Sequence, residues 1–255
     1  MTDFSYQLYS SRKNPDLGET LKMLADLGYT RVEGYGALYS DDALVEALKA
    51  NLADLGLTMP TAHFSLDMLA GQADKVTEIA EAVGVQTIFC PHIGPDLRPD
   101  SAMGWEDFGG KLAEIGKPYR DAGYGFGWHN HDFEFHPTPH GAIPMESILK
   151  GGPDLAWEAD IAWIIKGGGD PMDWIERHGS RIAAVHVKDI APEGECADED
   201  GWADVGHGTV DWKAIFEALK GIGAAHYIME HDNPSDPARF AERSLKAAKT
   251  LKGDA

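Results

Sequence analysis

Imidazole and carboxylate side chains stand at the ends of strand-like segments along most of this chain. Glu33, His63, His92, His129 with His131, Asp160, His186, and Glu230 with His231 and Asp232 each close or follow such a segment. Nitrogen and oxygen donors converging from several strands suit Mn²⁺, Mg²⁺, Co²⁺ or Zn²⁺. Carboxylates gathered without a cation repel one another, and an ion offsets that cost. His129, Asp160, His186 and Glu230 end four consecutive segments. They are the expected ligands of one divalent ion, with Mn²⁺ the first choice. Gln7, Glu33, His63, His92 and Trp163 are the expected substrate contacts.

Alternation along a strand sorts these residues by face. If His129 points inward, His131 does too and Trp128 points away. Asp160 shares its face with Glu158, leaving Trp157 outside. His186 shares its face with Lys188, and Val185 and Val187 cover the other side. Ile228 lies below Glu230. Each residue also has a plainer reading. A buried histidine is commonly a hydrogen-bonded core residue, Glu158 is a candidate salt-bridge partner of Lys188, and Glu134 can simply brace the loop after the fifth strand.

Such a constellation needs strands that all end on one side. The chain alternates strand-like and helix-like segments from end to end. The strands read as Tyr6–Tyr9, Thr30–Gly34, Leu57–His63, Gln86–Cys90, Tyr124–His129, Leu155–Asp160, Ile182–Lys188 and His226–Glu230. The helices between and after them centre on Leu17–Leu27, Ala43–Leu55, Ala73–Val83, Trp105–Ala122, Met145–Leu149, Asp173–His178, Trp212–Leu219 and Pro237–Leu251, with Pro118 able to kink the fourth. Glycine just past a helix is an expected stop signal and recurs at Gly28, Gly56, Gly84, Gly123 and Gly221. Eight β/α units in 255 residues, with no linker between them, predict one (β/α)8 TIM barrel over residues 1–255. Active sites of that fold lie where strands end and βα loops begin. No Gly-x-Gly-x-x-Gly follows the first strand, which argues against a dinucleotide site.

The formal charge of −20 disfavours nucleic acid, whose affinity comes from cationic contacts to phosphate, and anionic membranes. No apolar run reaches the roughly 20 residues of a spanning helix, and no signal peptide precedes the first strand. Two cysteines, Cys90 and Cys196, show no metal-ligand spacing. The expectation is a reduced cytoplasmic protein acting on a small molecule, with a homo-oligomer left open.

The motifs resemble the xylose isomerase-like TIM barrels, the sugar phosphate isomerase/epimerase superfamily. The resemblance runs through Gln7-Leu8-Tyr9-Ser10-Ser11-Arg12, Gly28-Tyr29-Thr30-Arg31-Val32-Glu33 and His129-Asn130-His131-Asp132-Phe133-Glu134-Phe135. It continues through Asp160-Ile161-Ala162-Trp163, Gly168-Gly169-Asp170-Pro171, His186-Val187-Lys188-Asp189, the segment Gly206–Trp212 and Glu230. It covers nearly the whole chain. In epimerases of this superfamily a Glu, an Asp, a His and a Glu from strands five to eight hold the metal, which implies Asp160, His186 and Glu230 here. The fifth-strand Glu falls on His129, a departure that questions a two-carboxylate proton exchange. The histidine-rich branch also resembles inosose dehydratases and enzymes of keto-sugars and keto-glycosides.

The resemblance implies a sugar or keto-sugar isomerase or epimerase working through an enediolate. The ion would polarise a carbonyl and lower the pKa of the adjacent C–H. Glu230 is the first candidate base, His131 or Lys188 the acid on the opposite face, and Glu158 a reserve. Loss of a β-substituent from the same enediolate would instead give a dehydratase or lyase on a keto-inositol or 3-keto-glycoside. An apurinic endonuclease on the related barrel and a non-catalytic sugar-binding module are weaker alternatives. Trp105, Trp163, Trp202 and Trp212 are candidates for sugar stacking or for loop packing. Glu193–Asp200 reads as a solvated loop, and Gly206-His207-Gly208 as a weak phosphate cradle.

Overall fold

The computed structural model describes residues 3–253. Eight parallel strands close into a barrel, confirming the α/β TIM-barrel expectation. They are β1 (Phe4–Gln7), β2 (Arg31–Gly34), β3 (Thr58–His63), β4 (Thr87–Cys90), β5 (Gly125–His129), β6 (Ala156–Asp160), β7 (Ile182–Val187) and β10 (His226–Met229), in the order β1-β10-β7-β6-β5-β4-β3-β2 around the barrel. The two-residue strands β8 (Asp189–Ile190) and β9 (Trp202–Ala203) pair antiparallel within the loop after β7.

Helices α1 (Leu17–Leu27), α2 (Asp42–Leu55), α3 (Leu66–Gly71), α4 (Ala73–Val83), α5 (Ala102–Asp121), α6 (Pro144–Gly151), α7 (Ile161–Lys166), α8 (Pro171–His178), α9 (Trp212–Lys220) and α10 (Pro237–Lys252) surround the sheet. Outward-facing Val32, Trp128, Trp157, Val185 and Val187 join the helices in one large apolar core. Phe89, Ala184 and Ile228, with Ala156 packed on them, form a small separate cluster that plugs the barrel interior.

Local chemistry explains the corrected boundaries. The first strand stops at Gln7, two residues earlier than expected. There the Gln7 side chain accepts the Tyr9 N–H and turns Leu8–Ser11 into a 3₁₀ helix. α5 begins at Ala102 because Ser101 Oγ caps the Gly104 N–H, and it runs past Pro118 to Asp121. Two short helices escape the periodicity argument. α3 is capped by Ser65 and α7 by Asp160, and six residues are too few to display a helical stripe. Gly28, Gly56 and Gly84 end their helices in the left-handed region, at φ of 91°, 66° and 80°. Gly221 does not, at φ −71°, so that stop requires no glycine. No helix among the described residues is long and apolar enough to cross a membrane.

Candidate functional site

Successive inward positions change character toward the C-terminal mouth. β7 presents Ala184 and then His186, with Lys188 just beyond; β6 presents Ala156, Glu158 and Asp160. Ile228 belongs to the plug, while Glu230, two residues on, reaches the mouth. Glu33, Glu158, Asp160, His186 and Lys188 are all fully buried. The mouth opens into a cavity of about 460 Å³ lined by His63, His92, His129, His131, Glu230 and Asp232, with Tyr9 and Tyr35 on its rim.

His186 organises the polar interior. Its Nε2 lies 2.7 Å from Glu33 Oε1, and its Nδ1 lies 2.9 Å from Glu230 Oε2 and 4.0 Å from Asp160 Oδ2. A proton on Nε2, donated to Glu33, leaves the Nδ1 lone pair facing the mouth, the arrangement by which a carboxylate orients a metal-binding imidazole. Glu33 is itself held by Gln7 Nε2 at 2.8 Å. Two donors bound to one ion at about 2.0–2.2 Å lie roughly 2.8–4.4 Å apart. His186 Nδ1 has that spacing to both Glu230 and Asp160, and the three residues together could hold a metal.

Lys188 sits among the same carboxylates. Its Nζ is 3.5 Å from Asp160, 3.2 Å from Glu230, and paired with Asp232. Burial would lower this ammonium, but Asp232, Glu230 and Asp160 override it and hold the proton tightly. Burial, reinforced by Glu230, pushes Asp160 up to about 7 against the pull of Lys188. Burial also opposes charge on Glu230, yet Lys188 and His186 keep its carboxyl well below the usual range.

Deeper in the barrel a second set gathers His63, His129, Glu158 and His186. Glu158 Oε2 is 2.5 Å from His63 Nε2, 3.1 Å from His129 Nδ1 and 3.4 Å from His186 Nε2. Burial pushes His129 down to about 3, so this ring is neutral.

The structure thus divides the expected quartet. Asp160, His186 and Glu230 stand together, while His129 groups with His63 and Glu158 one position further down. Glu158 engages three histidines and not Lys188, because Lys188 lies two residues nearer the mouth and meets Asp160, Glu230 and Asp232 first. His63 and His92 line the cavity, but His92 is exposed and bonded to Arg98 at 2.9 Å. Gln7 and Glu33 are buried against each other, away from the cavity lining. Trp163 forms an edge-to-face pair with Trp202 at 4.8 Å, and Lys188 Nζ lies 4.8 Å and 4.3 Å from their rings. His131 packs 5.5 Å from Trp163. Trp105 and Trp212 are core residues.

Two loop expectations are corrected. The N–H groups of Gly206, Gly208 and Val210 are not free for phosphate, since all three donate to the Asp189 carboxylate at 2.8, 3.3 and 3.0 Å. A Cβ on Gly208 would sit 2.2 Å from Asp189 Oδ1, so only glycine allows that clasp. The acidic loop is not wholly solvated either. Glu199 is buried, accepts the Ser235 N–H and pairs with Arg239 at 2.8 Å.

Asn130 received no role from sequence. Its Oδ1 accepts Trp157 Nε1 at 2.8 Å and the Asp160 N–H at 3.0 Å, and its Nδ2 donates to Asp160 O at 3.1 Å. It therefore positions a candidate ligand, and its place between two histidines was the available signal. Asp232, the second missed residue, follows a strand end already rich in polar groups. Glu134 braces its loop as expected, accepting Trp128 Nε1 and the His131 N–H, each at 2.9 Å.

Comparison with known proteins bears on the family and the fold. A family model described as a xylose isomerase-like TIM barrel matches residues 21–251. The rhizopine catabolism protein MocC of Rhizobium meliloti is 27% identical over 164 residues, 58% of this chain and 49% of that protein; the chain thus aligns with about half the length of this curated relative. A sugar phosphate isomerase/epimerase from Parabacteroides distasonis superposes with a TM-score of 0.78 at 22% identity, covering 99% of this chain and 95% of that one. The IolI protein, whose structure holds a zinc atom, superposes with a TM-score of 0.72 at 15% identity, covering 99% of each chain.

Proposed function

The chain belongs to the xylose isomerase-like TIM barrel family, and from that premise we propose that it is a divalent-metal-dependent isomerase or epimerase of a sugar or keto-sugar, working through an enediolate. Charge balance at the mouth is the observation that carries this reading. Asp160, Glu230 and Asp232 set three carboxylates around one ammonium, Lys188, beside a histidine nitrogen aimed at the same place. One divalent ion held by Asp160, His186 and Glu230 would relieve that crowding of carboxylates. Mn²⁺ is the first choice for two carboxylates and one imidazole, with Mg²⁺, Co²⁺ and Zn²⁺ as alternatives. When bound, the ion supplies Lewis-acid polarisation of a carbonyl and stabilises the charge left by the departing α-proton.

The remaining work falls to the chain's own groups. Glu230 is ionised and reaches the cavity, so it can accept the proton. Burial holds His131 well below its ordinary pKa, so its neutral imidazole lines the cavity but does not stand charged as the opposite-face acid. Lys188 holds its proton too tightly to serve as an acid and acts as a fixed charge. Trp163 and Trp202 wall the mouth beside it. The −20 charge favours a small substrate over nucleic acid, and two free cysteines suit a reducing, cytoplasmic setting.

A dehydratase acting on a keto-inositol or 3-keto-glycoside is the second reading. It is favoured by the imidazole that β5 offers where a second carboxylate would serve two-sided exchange, since elimination needs only one base. The test is α-proton exchange in D₂O against keto-sugars and keto-inositols, with Mn²⁺ supplied or chelated. Metal-dependent exchange in which the mass rises only by the deuterium incorporated supports isomerisation, and loss of water's mass supports the second reading. Exchange undiminished by chelation rejects both.

A further inference from the structure

The deeper donor set is chemically unlike the one at the mouth. It offers three imidazole nitrogens and one carboxylate, all within 4.8 Å of one another, where the mouth offers one nitrogen and two carboxylates. Four donors in tetrahedral array around Zn²⁺ are spaced roughly 3.3 Å apart. Two separations from Glu158 Oε2, 3.1 Å to His129 Nδ1 and 3.4 Å to His186 Nε2, lie near that value, and His63 Nε2 is hydrogen-bonded to the same oxygen at 2.5 Å. Within the set, Glu158 Oε1 is buried with no hydrogen-bond partner. A buried polar atom left unpaired is costly, so this atom points to a ligand. His63 and His129 line the cavity, which provides a route in from the mouth.

We propose that the barrel has a second, inner cation seat, formed by His63 Nε2, His129 Nδ1, Glu158 and His186 Nε2, that takes a borderline ion such as Zn²⁺ or Co²⁺. Its nitrogen-rich donors select such ions over Mn²⁺ and Mg²⁺. The two seats share one ring. A neutral imidazole has a single lone pair, so His186 serves Nδ1 to the outer seat or Nε2 to the inner one. An ion in the inner seat therefore withdraws a ligand from the outer seat, and the two ions antagonise each other by the same factor in both directions. Selectivity and position rest on the inner cluster alone; only the antagonism rests on the outer seat of the proposed function.

The test uses the full chain and metals alone. Co²⁺ titration should produce the intense d–d absorption of a tetrahedral site. His63→Ala and His129→Ala should each weaken Co²⁺ and Zn²⁺ binding at least 10-fold while Mn²⁺ binding, followed by electron paramagnetic resonance, persists. Glu230→Ala should do the reverse. Zn²⁺ should release Mn²⁺ from the unmodified chain. His63→Gln and His129→Gln, which preserve side-chain bulk, repeat the measurement if the alanine variants lose their circular dichroism. Unchanged Co²⁺ absorption and Zn²⁺ affinity in the folded His63 and His129 variants overturns the inner seat. Simultaneous, independent binding of Zn²⁺ and Mn²⁺ overturns the shared ring. Failure of Mn²⁺ to bind any variant, with the Co²⁺ signal intact, sinks the outer seat and leaves the inner one standing.

Discussion

The lower barrel interior and its mouth are built from the same strands, two residues apart. Phe89, Ala184 and Ile228, with Ala156 packed on them, make an apolar plug, and the positions two residues beyond Ala156, Ala184 and Ile228 carry Glu158, His186 and Glu230. Burying the plug stabilises the fold by roughly 25 cal/mol per Å² of apolar surface removed from water. Burying the charged set costs energy unless each charge finds a partner. The difference teaches that this barrel keeps stability and chemistry at adjacent heights. The apolar plug and the helix-facing core support a layer that would not assemble unaided.

The sharpest way to break that comparison is to alter one strand at both heights. Glu230→Gln should lower metal-dependent α-proton exchange by about 10²–10⁴-fold, the usual worth of a positioned base, while the chain stays folded. Ile228→Ala should do the opposite, costing about 2–5 kcal/mol of unfolding free energy through cavity formation while exchange per folded molecule persists. If Glu230→Gln unfolds the chain, or Ile228→Ala abolishes exchange in folded protein, the two heights are not separable.

A smaller effect should come from Asn130, which joins the layers by holding the Asp160 backbone. Asn130→Ala should weaken Mn²⁺ binding about 10–100-fold, the range for residues that orient a ligand. Isothermal titration calorimetry would measure it, and an unchanged affinity would show that Asp160 needs no such support.

The smallest effect lies outside the barrel. Burial would raise the Glu199 carboxyl, but hydrogen bonds from Ser235 and Arg239 override it and hold it at about 2. Its unfolded value is about 4.3. A carboxyl lowered on folding contributes stability that is complete above the unfolded pKa and lost as pH falls toward the folded one. The Glu199 clamp on the loop after β7 should therefore loosen between about pH 4 and pH 2. Glu199→Gln should flatten that part of the pH dependence, as read from urea midpoints, and an unchanged slope would remove Glu199 as its source.

Much of this was legible in the residues themselves. Strand and helix periods, with stops such as Gly28 and Gly56, predicted eight β/α units, and strand ends collected His63, Asp160, His186 and Glu230 on one side. The clasp of Asp189 on Gly206, Gly208 and Val210 was not legible, because its partners lie 17 to 21 residues away.

Alternation along a strand is local, so sequence alone determined which face each side chain takes. Height across the barrel is not local. It depends on the stagger of neighbouring strands, including the register shift between Trp157 and Glu158. Only the closed barrel decided that Glu158 meets His63 and His129, that Lys188 meets Asp160 and Glu230, and that the two nitrogens of His186 face different partners.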